Sequence, residues 1–407
     1  MGRWYQWLSP WYIAYALLGA IAVGILPILI PLASSTGGAA RIGMVMAALN
    51  LGGMSALISG LLCDRFRLHK TVAISGLLIL TISTALFPFF TDLISRTILA
   101  ILIGTGIAAA STVANLLIVE VYPKEQWDSR IGWLQTAFCI GQVAGLILAS
   151  PFSNHISAGL LTTSVLAIIA VIVSVFTIHT PGKPLKSLRA EPTGIRHGEW
   201  GISSPDRAHH HLSIKALRGI KMVFTTPFGI FLLAWLFVYT GAAGIFSLYP
   251  VLYQHLYNVN PQVSSIGFAA SVAIGLFLYA PSGKLSERFG ANRVLNISIL
   301  IRLIAFLLLW LLTFSKTTHT GIASLLIFGI VVLAWSPLSV SSTAFTASSA
   351  GIGEGEAMGL YTTVSSLAGV IGSLAGGEIA LFFGYRAVPL LAVILLSIGL
   401  LVNTQHK

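Results

Sequence analysis

Two stretches of this chain carry the residue types that could do physical work at a membrane border. Residues 60–70 read GLLCDRFRLHK and residues 283–293 read GKLSERFGANR. At one offset of 223 residues, Gly60 falls on Gly283, Asp64 on Glu287, Arg65 on Arg288 and Phe66 on Phe289, with Lys70 on Arg293. Each stretch sets a carboxylate beside a guanidinium between two apolar segments. Such a carboxylate can accept from its neighbouring base or from the positive N-terminus of a facing helix. The contact can hold one arrangement of the chain and break in another. A tight turn would explain a single copy. Two copies at one offset favour a gating contact and mark an internal duplication. Glycines at the head of each copy are expected where a helix approaches a neighbour closely.

A second set of residues could bind a small molecule. Asn50, Asn115, Gln135, Gln142, Trp235, Tyr239, Trp335 and Tyr361 are polar or aromatic groups near the middle of long apolar segments. Trp235 and Tyr239 are four apart and share a helix face. Taken singly, each amide could bond a neighbouring helix and each ring could simply pack. Taken together, neutral amides and rings suit an uncharged, zwitterionic or amphiphilic substrate. Metal and cofactor chemistry find no footing. Cys63 and Cys139 have no ligand spacing, and the adjacent His209, His210 and His211 cannot all face one ion on a regular element. No nucleophile elbow or phosphate loop stands in the chain, so an enzyme is not expected.

The elements that must position these groups are membrane spans. The 407 residues are 56% hydrophobic and 9% charged, against about 25% charged in soluble domains. Apolar runs long enough to cross a bilayer core of about 30 Å recur throughout. They are continuously apolar rather than alternating, which predicts helices and not a β-barrel. The first run is too long for a cleavable signal peptide. Twelve spans are expected: span 1 at 11–33, span 2 at 39–63, span 3 at 71–90, span 4 at 97–119, span 5 at 131–152 and span 6 at 158–179. Span 7 follows at 226–250, span 8 at 262–282, span 9 at 294–314, span 10 at 321–343, span 11 at 357–380 and span 12 at about 386–402. The aromatic residues Tyr253, His255 and Tyr257 are expected at the surface beyond span 7.

Residues 181–221 hold eight Lys or Arg and no apolar run, and read as a linker between an N-terminal bundle, 1–180, and a C-terminal bundle, 222–407. Residues 212–224 are spaced for an amphipathic helix on the membrane surface. With both termini in the cytoplasm, 18 of the 23 Lys and Arg fall on the inner side. That asymmetry fixes the orientation and accounts for the net charge of +11 without nucleic acid. The expected location is the bacterial inner membrane. None of the twelve acids lies at mid-membrane, where a proton relay normally keeps an ionisable group. Either transport is uncoupled, or protons use a rim carboxylate such as Asp64 or Glu378.

Over essentially its whole length the chain resembles the major facilitator superfamily. Gly283, Glu287, Arg288, Gly290 and Arg293 fit that family's hinge motif. Gly60, Asp64, Arg65 and Lys70 fit its first copy, with Arg67 where a glycine is expected. The resemblance implies an all-α membrane protein of two pseudo-symmetric six-helix bundles, a central cavity and alternating access. It also implies that Glu120 joins the Asp64 network. Gly132, Gly141 and Gly145 match a span 5 motif of proton-coupled drug exporters, but Leu146 replaces its proline and Ala100 replaces the span 4 arginine. Arg302, about 12 Å deep at 1.5 Å per residue, has two readings. It could form an anion site, or it could snorkel or pair structurally, since span 9 is peripheral in the family. The second reading is preferred. The expected function is export of a small amphiphilic molecule by a monomer working in the lipid bilayer. Uptake of a sugar or organic anion is the first alternative. A receptor or partner subunit that does not transport is the second.

Overall fold

A computed structural model of the chain describes residues 9–66, 68–122, 127–178, 226–315, 319–349 and 354–404, and only the backbone at 64, 119–121, 127–129, 347, 349 and 354–356. The linker, the histidine run and the 212–224 segment lie outside the described residues. So do the side chains of Asp64 and Glu120. Among the described residues every regular element is helical. Ten helices are long and apolar enough to cross a membrane, or eleven when Pro261–Leu276 and Tyr279–Phe289 count as one bent span. One of the ten is the 52-residue stretch Tyr12–Cys63, far longer than the roughly 20 residues a bilayer needs. Its helical backbone breaks at Gly38, where φ is +81°. Dividing it there supplies the remaining boundary that twelve spans require.

Ends and breaks follow from local chemistry. Asp92 caps Leu93–Val121, accepting the Ser95 N–H at 2.8 Å. That hydrogen bond holds its carboxyl below the usual range. Thr226 caps Pro227–Tyr257 by accepting from Gly229 N–H at 3.2 Å, and Pro227 occupies a first-turn site where its missing donor costs nothing. Span 8 bends by 52° after Leu276. Pro281 cannot donate to the Phe277 carbonyl, which lies four residues back at the bend. Span 10 breaks at Ala334, and Pro337 likewise leaves the Leu333 carbonyl without its helical donor. A π-helical turn, Ala20–Ile25, interrupts span 1 just before Pro27.

Span 7 runs past its expected end to Tyr257, through Pro250. This corrects the expected surface position of its last aromatics. Tyr253 and Tyr257 are buried, and only His255 of the three is exposed. Spacing by four stacks Tyr249, Tyr253 and Tyr257 along one side, with ring centroids 4.7 and 5.0 Å apart. Their hydroxyls donate to the carbonyls of Ser264, Ser324 and Leu309, at 2.9, 3.1 and 2.8 Å. Span 7 is thereby pinned to spans 8, 10 and 9.

Helix contacts inside the N-terminal half are made by small residues, as expected for association without a hydrophobic drive between helices. Gly141 and Gly145 of span 5 lie directly on the backbone of Ala16 and Ala20 in span 1. Gly52 of span 2 lies on the Ile101 carbonyl in span 4. A Cβ added at Gly145 would collide with main chain that no rotamer change can move. Gly145→Ala is therefore expected to cost about 1–3 kcal/mol, read as a lower thermal midpoint in detergent. Gly132→Ala, which meets nothing within 4 Å, should leave the midpoint unchanged.

Candidate functional site

The two halves touch at one end and part at the other. At the end marked by Gly38, spans 2 and 11 meet through Gly43 and Gly377, whose added Cβ would stand 2.9 Å from the Gly43 Cα. Spans 5 and 8 meet through Ser265 Oγ donating to the Leu146 carbonyl at 2.6 Å and Ser150 Oγ donating to the Gln262 carbonyl at 3.2 Å. Asn50 Nδ2 donates across the junction to Ser373 Oγ at 3.3 Å, and Ser373 bonds Ser247 of span 7 at 2.6 Å. These groups are neutral. At the opposite end, Gly53, Gly132, Gly283 and Gly359 have nothing within 4 Å for a Cβ to meet, and Leu57 and Leu61 are exposed.

The repeated charged stretches lie at this parted end. They are mostly helix rather than turn, within Ala56–Phe66 and Tyr279–Phe289. Gly290, at φ +86°, supplies the actual turn in the second copy. The expected close approach at Gly60 and Gly283 is not made. Gly60 has only the Thr112 methyl at 3.8 Å, and Gly283 has nothing within 4 Å. Helix ends that stand apart leave no neighbour to meet. Arg65 lies over Phe66 at 5.5 Å and Arg288 over Phe289 at 5.3 Å, the same local contact in both copies. Glu287, Arg288 and Arg293 are exposed, and Lys70 donates to the Val175 carbonyl at 2.7 Å.

Between these ends the structure gathers the predicted aromatic residues. Trp235, Tyr239, Trp335 and Tyr361 form one cluster, with centroids from Trp235 of 5.8, 6.4 and 5.1 Å to the other three. Trp235 is buried and fixed by Nε1 donating to Ser365 Oγ at 2.8 Å. Tyr361 bonds Ser342 at 2.9 Å. Tyr239, Trp335 and Tyr361 are half-buried. Trp335 starts the second segment of span 10, so the break before Pro337 sets its position. Sequence reasoning missed Tyr279, which begins the bent part of span 8 and interacts with Trp335, Ser336 and Ser339. Pro281 was the available signal. Tyr15 of span 1 was missed as well; it lies beside both Asn115 and Gln135 and packs on Phe138 at 4.9 Å. Thus Asn115 and Gln135 come together on the N-terminal side, and the four rings on the C-terminal side. Asn50 is used in the junction itself. Gln142 is half-buried on span 5 and joins neither group through a hydrogen bond.

Arg302 overturns the snorkelling expectation. Its side chain is only 2% exposed. Its guanidinium carbon lies 5.6 Å from the Trp335 ring, 5.9 Å from Phe246 and 5.8 Å from Phe306. Span 9 turns this residue toward spans 7 and 10, not toward lipid. Among the described residues no group of His, Cys, Asp and Glu could hold a metal.

Two sets of membrane-spanning helices meet at one end around a polar and aromatic centre. The sequence signature of the Major Facilitator Superfamily matches residues 11–354, and the chain belongs to that family of transporters. It is 24% identical over 386 residues to Multidrug resistance protein 2 of Bacillus subtilis (strain 168), covering 91% of this chain and 86% of that protein. Its fold matches the nucleoside transporter NupG (D323A mutant), with TM-score 0.76, 14% identity and 98% of each chain covered. It also matches a D-xylose–proton symporter, with TM-score 0.73, 14% identity, and 97% of this chain and 96% of that one covered. A third match is a bacterial homologue of the human lysosomal transporter Spinster, with TM-score 0.71, 14% identity, and 99% and 96% covered.

Replacing Trp235 by Phe keeps most ring area but loses the hydrogen bond to Ser365, worth about 1 kcal/mol. Trp235→Phe should weaken binding of an aromatic ligand only several-fold. Trp335→Ala, which opens the cluster, should abolish detectable binding by calorimetry in detergent.

Proposed function

We propose that this protein exports a small aromatic or amphiphilic molecule by alternating access. The observation that carries this reading is the pairing of a closed end with a parted end around the ring cluster. We read the parted end as cytoplasmic from the distribution of Lys and Arg, and on that reading the arrangement is that of an inward-open state. Substrate would enter between spans 2, 5, 8 and 11 and settle on Trp335, Tyr239 and Tyr361, with Asn115 and Gln135 opposite. Rocking of the halves would then close the Asp64 and Glu287 end and break the neutral serine and glycine junction. Glu287 has no ion-pair partner among the described residues in this state. Its partner would form on closure, and Asp64 is assigned the same role by the repeat. Export is favoured over uptake by the likeness to a relative named for multidrug resistance.

Membrane vesicles of both orientations test direction, using a fluorescent aromatic amphiphile in neutral, anionic and cationic versions. Energised inside-out vesicles are expected to accumulate at least one version. Accumulation confined to right-side-out vesicles would instead establish uptake, and no transport in either would point to a receptor. The double variant Asp64→Asn, Glu287→Gln should lose transport at least about tenfold while keeping ligand binding, because charge-assisted contacts of this kind are worth about 1.5–3 kcal/mol.

A further inference from the structure

We infer that Arg302 makes the ring cluster a binding site for aromatic or amphiphilic anions. This inference rests on the reading of the cluster as the substrate surface and narrows its substrate class. A guanidinium stays protonated in proteins, and an isolated charge in the membrane interior is costly enough to be kept for a reason. Arg302 is 2% exposed. Its Nε has no hydrogen-bond partner. Among the described residues no carboxylate bonds it, and Tyr239 lies nearby. The surrounding rings of Phe246, Phe306 and Trp335 offset part of the cost through their π faces, but none supplies an acceptor for its N–H groups.

Two of its neighbours also belong to the cluster. Trp335 has Arg302 5.6 Å from its centroid and the rings of Trp235 and Tyr239 at 6.4 and 6.2 Å. Both Trp335 and Tyr239 are half-buried, not sealed. A planar ligand stacked on these rings would bring its polar edge within the field of an uncompensated positive charge in a low-dielectric setting. A carboxylate or sulfonate gains there, and a cation of the same shape is repelled. Among the described residues no carboxylate takes that place, and the anionic edge of the ligand would take it.

The test uses the full-length protein in detergent and isothermal titration calorimetry with three ligands of one shape: 2-naphthoate, 2-naphthamide and 2-naphthylmethylammonium. Native protein is expected to bind naphthoate about tenfold or more tighter than the amide, as for a hydrogen bond to a charged group, and the cation more weakly than either. Arg302→Met should bring naphthoate to the affinity of the amide and leave amide binding unchanged. Arg302→Lys should keep part of the preference. Because Met removes an uncompensated buried charge, its thermal midpoint should equal or exceed the native one. Equal binding of naphthoate and amide to native protein would overturn the inference and leave the cluster's role standing. So would a preference that survives in Arg302→Met. If the Met variant does not fold, the native and Lys ratios decide. Failure of all three ligands to bind would overturn both this inference and the assignment of the cluster.

Discussion

The structure depends on bare backbone contact between the two halves at one end. Lipid offers helices no hydrophobic reward for meeting, so close packing of small residues must supply the attraction. Gly43 against Gly377, and the serine donors of spans 5 and 8 against facing carbonyls, do this without a charge on either side. A neutral junction of this kind has no ion pair to desolvate when it forms and no orphaned charge when it breaks. The two repeated charged stretches instead sit at the parted end, one in each half. One end is held by packing, and the other carries exposed charged groups such as Glu287 and Arg288.

That arrangement explains where helices are allowed to break. The bend of span 8 and the break of span 10 lie beside Tyr279 and Trp335, both in the region between the ends. Unpaired backbone is tolerated in a membrane only where protein or a cavity covers it. The tyrosine ladder of span 7 then anchors the C-terminal half around these breaks, leaving the rings near Trp235 to face the centre. Arg302 is enclosed in the same aromatic shell, and its charge is the only strong electrostatic feature the cluster carries among the described residues.

Much of the fold was legible because hydropathy and repetition are one-dimensional signals. The spans and the 223-residue duplication both follow from spacing alone. Trp235, Tyr239, Trp335 and Tyr361 were legible as a set because mid-depth position follows from rise per residue. What was not legible depended on helix rotation and on neighbours. Spacing gives the depth of Arg302 but not whether it faces lipid or span 10. Pro250 is the expected end of span 7, yet about two more turns follow because Tyr253 and Tyr257 find buried carbonyl acceptors. Gly60 and Gly283 signal a close approach that this structure does not make, because spacing does not tell how near the neighbouring helix stands. Tyr15 and Tyr279 were overlooked because tyrosine near the ends of apolar runs reads first as an interfacial anchor.

Alternating access, as proposed for this protein, requires the two ends to open in opposition. The direct test is distance measurement between spin labels in lipid nanodiscs, in a Cys63→Ala, Cys139→Ala background. One pair sits at exposed Leu61 and Leu285 on the parted end, and the other at exposed Asn154 and Asn260 on the closed end. Conditions that shift the equilibrium are expected to shorten the first distance and lengthen the second together. Distances that stay fixed, or that change in the same sense, would contradict alternating access.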